Sequence, residues 1–296
     1  MENKINIEKI QKNKPIKQLL EFSIINIDKP SGPTSFGTDM IIKENLQLKK
    51  TSHFGTLDPM VTGVLPIALN RACKLMGYFI GKRKKYVGIM RLHQELDEKK
   101  LKEEMEKFIG KINQLPPVKS RVKRQERERE IYSFNILEIN KRDVLFESEV
   151  QAGTYIRKLI HDLGEKIGGA HMLELRRTKA SIFEEKKSIT IYEFLEAVEK
   201  YNQGDEKPLR KMLIPAEIIS KTLPIVQVKS EFEKKLYHGS PLFKEHLKEK
   251  KHNFKKDEKF VLFSNQKFIG VYSTIAHQTV LAKPEFVLQP IKENNS

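Results

Sequence analysis

The chain has 296 residues, more than the roughly 250 at which one hydrophobic core stops growing, so two domains are expected. Lys and Arg outnumber Asp and Glu by 55 to 39, a formal net charge of +16 that points to a polyanionic partner without separating RNA from DNA or an anionic membrane. The single cysteine, Cys73, excludes an intrachain disulfide and a thiolate zinc cluster, and no window approaches about 18 consecutive apolar residues, so an intracellular chain that does not enter a membrane is expected.

Residues 1–22 are polar and basic and read as an arm, either mobile or docked elsewhere on the molecule. From Ser23 the character changes: "SIINIDKPSG" is a β-branched run closed by a Pro and Gly turn, which signals a strand. "SFGTDMIIKENLQL" spaces Ile41, Ile42 and Leu46 as a helix would, and "TGVLPIAL" is strand-like again. Asp97 can cap a helix with Leu101, Met105, Phe108 and Ile109 on one face and Gly110 as its stop. "IYSFNILEIN" and "DVLFESEV" should pair as a hairpin across the polar turn from Asn140 to Asp143. In "GTYIRKLIHDLGEKIGG" the stripe of Ile156, Leu159, Ile160, Leu163 and Ile167 predicts a helix, with Thr154 as cap and Gly168 and Gly169 as stop. A capping box from Thr190 to Glu193 opens the next helix. After Pro215 the composition shifts to short strand-like pieces, "LPIVQV", "KFVLF", "KFIGVYS", "TVLA" and "EFVL", which describe a small β-rich module. The expected division is an arm at 1–22, a body at 23–218 and the module at 219–296.

One isolated carboxylate stands out. In "TSHFGTLDPMVTGVLP", Asp58 precedes a proline, which biases it to an extended or turn conformation, and it lies between Gly55 and Gly63, which permit close approach of a ligand. Alone, the segment is equally an ordinary Asp-Pro turn. Tyr86 in "KRKKYVGIM" ends a basic cluster and enters a strand, an arrangement suited to base stacking beside a phosphate patch, or simply a half-buried strand tyrosine. Tyr155 and Arg157 open a helix whose apolar stripe is complete without them. "HMLELRRTK" adds Leu175 beside Arg176, Arg177 and Lys179.

Taken in order, "GTLDPMVTGVLP", "KKYVG", "GTYIRKLIHDLG" and "AHMLELRRTK" resemble the motifs of the TruB-type pseudouridine synthases. "LPPVKSRVKRQERERE" and "LRRTKASIFEEK" look like the dyskerin branch, the catalytic subunit of box H/ACA ribonucleoproteins, and the resemblance covers about residues 23–290. It implies an α+β fold: a mixed, mainly antiparallel sheet with packed helices and an active cleft across its middle, followed by a small C-terminal β-rich PUA domain. It also implies an RNA-guided isomerisation of uridine in rRNA and in some tRNA, without cofactor or metal. By resemblance Asp58 starts the reaction as nucleophile or as base toward the sugar, and Arg157 pairs with it. Tyr86 stacks on the flipped uracil, Tyr155 and Leu175 line the pocket, and His53 organises the extruded nucleotide.

RNA contacts implied in the same way are Lys119, Arg121, Lys123 and Arg124 in a loop closing over the substrate, Arg176, Arg177 and Lys179, and the turn around Gly239. The implied partners are guide and substrate RNA and three small core proteins: a short zinc-related one, a Gar-type β-barrel and a kink-turn-binding ribosomal-type protein. The arm is expected to dock on the PUA module, and the absence of a long lysine-rich tail favours an archaeal cytoplasm. Two features depart from the family pattern: Phe54 stands where a small residue is usual, which would narrow the catalytic loop, and Glu126, Glu128 and Glu130 dilute a basic run. The competing readings are a stand-alone synthase for the tRNA T-loop and a non-catalytic RNA scaffold.

Overall fold

The computed structural model describes residues 5–116, 123–249, 255–277 and 279–290. Among them the mixed sheet predicted for the body has 11 strands. Ser23–Lys29 is buried at every position but one, because it has neighbours on both edges: Thr62–Leu69 antiparallel and Ile189–Thr190 parallel. Thr62–Leu69 pairs parallel with Ala170–Ala180, and beyond it come Lys84–Leu92, Asp143–Val150, Arg127–Asn140 and Gly110–Gln114, all antiparallel. The strands Thr62–Leu69, Ala170–Ala180 and Lys84–Leu92 therefore form the middle of the sheet.

Helices cover this sheet through their apolar stripes. Ile156–Ile167 buries Ile156, Leu159, Ile160, Leu163 and Ile167, and ends at Gly168 in the left-handed conformation. Its cap position is Tyr155 and not Thr154, whose hydroxyl is instead spent on the carbonyl of Gln151 in the preceding turn. The Asp97 cap forms, but that helix stops at Glu106, and Gly110 begins the strand Gly110–Gln114. The Thr190–Glu193 capping box is present as expected.

The C-terminal module is a five-stranded sheet in the order Ile225–Gln227, Lys259–Ser264, Lys267–Thr274, Val280–Val287, Leu242–Phe243. "TVLA" and "EFVL", which read as two strands, are one: Pro284 is accommodated where the register against Lys267–Thr274 shifts beside Tyr272. A proline at a bulge costs no ladder hydrogen bond, so the strand continues through it.

The arm is folded. Helices Ile7–Asn13 and Ile16–Glu21 form it, and the segment from Asn6 to Phe22 contacts both the body and the module. The Asn6 amide donates to Gln266 Oε1 at 2.8 Å, and the Arg210 guanidinium donates to the carbonyls of Gln11 and Lys14, both at 2.7 Å. Phe22 packs on Phe268 with ring centroids 5.3 Å apart, within a cluster that also holds Val64, Ala68, Val261 and Phe263. That single ring contributes roughly 1.5–3 kcal/mol by burial and joins body to module. Phe54 belongs to the same cluster, stacked on Phe79 at 5.0 Å, so its bulk fills this core and, contrary to expectation, does not narrow the loop of Asp58.

Candidate active site

Asp58 lies in the loop between Thr51–His53 and Thr62–Leu69, and its side chain is 56% exposed. The Arg157 guanidinium, 99 residues on and at the second position of its helix, donates to Asp58 Oδ2 at 2.6 Å. The exposure of both side chains leaves this carboxylate accessible to a substrate, while the cation opposite keeps it oriented.

The loop itself is held by buried groups. Ser35 Oγ donates to the Leu57 carbonyl at 2.9 Å and accepts from the Leu57 amide at 2.8 Å, which clamps both sides of the residue before Asp58. The Lys29 ammonium, fully buried, donates to the carbonyls of Pro30 and Pro59 at 2.6 and 3.0 Å. Burial lowers its pKa and the nearby charge of Asp58 opposes that shift. Arg177, also fully buried, donates to the carbonyls of Val64 at 2.8 Å and Gly55 at 2.9 Å. Burial lowers the pKa of this guanidinium and its contact with the Tyr86 hydroxyl offsets part of the effect. Gly63 makes the approach possible: at φ 99°, a Cβ there would lie 2.2 Å from the Arg177 carbonyl oxygen.

Tyr86 and Leu175 sit on the adjacent strands Lys84–Leu92 and Ala170–Ala180, in register with Arg177 and Gly88 respectively. They are 7% and 8% exposed and share an apolar cluster with Leu57, Val61 and Ile156, a floor beneath the loop. Tyr155 is fixed through its backbone, its amide donating to Gln114 Oε1 at 3.0 Å and its carbonyl accepting from Gln114 Nε2 at 3.2 Å. His53 Nδ1 is 2.6 Å from Oδ2 of buried Asp39, and Nε2 is 3.0 Å from the Thr56 hydroxyl. An Nδ1–H donated to the carboxylate leaves Nε2 as acceptor from Thr56, two residues before Asp58.

Of the cations expected to contact RNA, Arg177 is corrected: with no exposed surface it cannot reach a phosphate, and it instead supports the loop from below. Arg176 is bound bidentately to Asp28 at 2.9 and 2.8 Å and to Glu185, which raises its pKa through Asp28 first and leaves little capacity for a phosphate. Lys179 pairs with Glu184 at 2.8 Å, about half exposed. Lys123 and Arg124 are exposed, whereas Lys119 and Arg121 lie outside the described residues. Gly239 has φ 84° and nothing within 4 Å of where a Cβ would stand. Sequence reasoning missed Ser35, Lys29, Asp39 and Gln114. Only Lys29 left a signal, as the one cation in the strand that carries Ile24, Ile25 and Ile27.

Comparison with known proteins places the chain in a family. The TruB family pseudouridylate synthase N-terminal domain matches residues 43–156, and the tRNA pseudouridylate synthase B C-terminal domain matches 157–220. The probable tRNA pseudouridine synthase B of Methanopyrus kandleri is 45% identical over 231 residues, covering 77% of this chain and 68% of that protein. Its counterpart in Methanothermobacter thermautotrophicus is 43% identical over 229 residues, covering 77% and 71%. Among solved structures, the Cbf5-Nop10-Gar1 complex matches with TM-score 0.85 and 35% identity over 94% of this chain and 88% of that one. An H/ACA RNP bound to a substrate RNA containing 2'-deoxyuridine matches with TM-score 0.85 and 34% identity, over 95% and 89%. The chain belongs to the TruB family of pseudouridine synthases, enzymes that isomerise uridine in RNA.

Proposed function

We propose that this synthase works as the catalytic subunit of a box H/ACA particle, converting uridines of rRNA, and of some tRNA, that are selected by a guide RNA. The observation that carries the reading is the likeness to Cbf5 over 94% of the chain, an extent that reaches well beyond the residues 43–220 matched by the family models. Those solved structures contain Nop10, Gar1 and substrate RNA, and partners of the same kinds are proposed for this chain. On this reading residues 219–296 are a PUA RNA-binding domain, 1–22 the arm docked on it and 23–218 the catalytic domain, and the setting is an archaeal cytoplasm. The open space over Gly239 supports a close backbone approach of RNA there. Among the described residues no helix is long and apolar enough to cross a membrane.

The reaction breaks the bond from C1′ to N1 of uridine, turns the base, joins C1′ to C5, and releases the C5 proton while N1 takes up one. Asp58 acts on the sugar as nucleophile or base, oriented by Arg157 at 2.6 Å. Tyr86 and Leu175, forming the floor, receive the uracil; Tyr155 lines the entrance and handles a proton at the base; His53, oriented by Asp39, holds the extruded nucleotide. Lys123 and Arg124 supply phosphate contacts, as does Lys179 once released from Glu184.

The names of the curated relatives favour a second reading, a stand-alone tRNA enzyme. Pseudouridine formation is measured on a tRNA alone and on a target RNA with matching guide, with and without partner proteins. Guide-dependent conversion that falls by at least roughly 10²-fold in Asp58→Asn is the expected result. Efficient conversion of tRNA alone favours the stand-alone enzyme, and no Asp58-dependent conversion in any assembly leaves a scaffold.

A further inference from the structure

Behind the catalytic loop, beside the turn joining Ala180 to Phe183 and the 3-10 segment Ala216–Lys221 that leads into the small sheet, is a cavity of about 410 Å³. Six cations line it, Lys82, Arg83, Lys84, Lys85, Lys179 and Lys221, against one acid, Glu149. Three of them are neutralised: Arg83 by Glu149 at 3.4 Å, Lys85 by Glu147 at 2.7 Å and Lys179 by Glu184 at 2.8 Å. Lys82, Lys84 and Lys221 make no ion pair among the described residues. Lys84 is buried and donates to the carbonyls of Ile80 and Lys82 at 2.9 and 3.4 Å.

The lining also holds two hydroxyls, Ser181 Oγ and Thr222 Oγ1, that are shielded from solvent and lack a hydrogen-bond partner. Ser181 occupies its place at φ 58°, a conformation a non-glycine residue rarely adopts. One oxyanion would satisfy both kinds of group, the unpaired cations by charge and the two hydroxyls, once turned toward it, by hydrogen bonds.

We infer that this cavity seats a phosphodiester of the RNA backbone, contacted by Lys82 and Lys221 and accepting hydrogen bonds from Ser181 and Thr222. RNA is the source favoured, because the enzyme's substrate class is RNA and the cavity opens on a chain of net charge +16. Its wall is shared with the active site: a Cβ at Gly55 would lie 3.3 Å from Lys84 Cε, so the seat abuts the loop that carries Asp58. A backbone phosphate held there would position RNA relative to that loop without reading sequence. The inference rests on the family's action on RNA and is independent of guide dependence.

The test is the salt dependence of binding of two labelled probes, a tRNA and an H/ACA guide RNA, to the wild type and to the Lys82→Ala/Lys221→Ala protein. Both side chains are exposed and outside the catalytic set, so folding and the Asp58 chemistry are left alone. The plot of log affinity against log salt should become shallower by about 1 to 2 with at least one probe. A control, Lys99→Ala/Lys102→Ala on the exposed face of Glu98–Glu106, removes the same charge elsewhere and should leave the slope unchanged. Unchanged slopes in the cavity variant with both probes, or an equal loss in the control, would overturn the proposal. So would binding of inorganic phosphate by the cavity with no change in either RNA slope, because the site would then serve a small free anion.

Discussion

The loop around Asp58 and the turn around Gly239 are both glycine-containing segments singled out for RNA contact, and they differ in how closely the backbone around the glycine is packed. Beneath the first, Ser35, Lys29 and Arg177 place buried hydrogen bonds on the backbone at Leu57, Pro59, Gly55 and Val64, and Gly63 touches the Arg177 carbonyl. Around the second, nothing stands within 4 Å of where a Cβ at Gly239 would lie, and the turn is tied by the Gly239 amide donating to the Leu236 carbonyl at 2.9 Å and by the buried Tyr272 hydroxyl donating to the Ser240 carbonyl at 3.2 Å, above the apolar Leu236 and Leu242. The difference lies in room: a Cβ added at Gly63 would strike the Arg177 backbone, whereas one added at Gly239 would meet open space.

Substitutions at the two glycines bring this contrast out most sharply. Gly63→Ala should destabilise by at least about 3 kcal/mol, because the strain of φ 99° adds to a clash with backbone that cannot move away. Chemical denaturation at neutral pH would show it, and a midpoint equal to wild type would mean that the packing under the loop is looser than described.

A second expectation concerns Lys84, whose pKa is lowered to about 8, first by burial and then by Arg177. Since the unfolded chain keeps the ordinary value near 10.5, the native state binds fewer protons between about 8 and 10.5. Stability should therefore rise across that window by up to about 3 kcal/mol relative to Lys84→Met. Parallel pH profiles of melting for the two proteins would contradict it.

Ser35→Ala removes both bonds to Leu57 and should cost about 1–3 kcal/mol while slowing turnover more than it weakens RNA binding. A rise in KM with kcat intact would count against the clamp. In the module, Gly239→Ala meets no clash and should cost only about 1 kcal/mol, from the left-handed backbone alone. The smallest effect expected is at His246, where burial lowers the pKa. Its native form binds fewer protons than the unfolded chain just below pH 6.5, so the module should lose stability as pH falls through that region, and His246→Gln should remove this acid limb.

Several elements were legible because their signals are local. The stripe from Ile156 to Ile167, the Thr190–Glu193 box and the hairpin across Asn140–Asp143 need only neighbours in sequence, and each is found where expected. Misreadings arose where a distant partner decides: Pro284 is tolerated by a bulge against Tyr272, and Thr154 yields the cap position to Tyr155, whose backbone is engaged by Gln114. Arg176 and Arg177 look alike in sequence, yet consecutive strand residues point to opposite faces. One meets Asp28 and Glu185, and the other is driven into the core beneath the loop.

By itself the sequence determined the basic charge, the strand and helix periods, and the motifs that hold Asp58, Tyr86, Tyr155 and Arg157, since these are properties of residues and their near neighbours. The resemblance already implied that Arg157 pairs with Asp58, whereas only the tertiary structure decided that Ser35, Lys29 and Asp39 support the site and that Phe54 fills a core and not a cleft. Those outcomes depend on which groups are excluded from water together, and that is settled when the sheet closes and the chain is packed, because burial without a partner is too costly for any polar group to be placed at random.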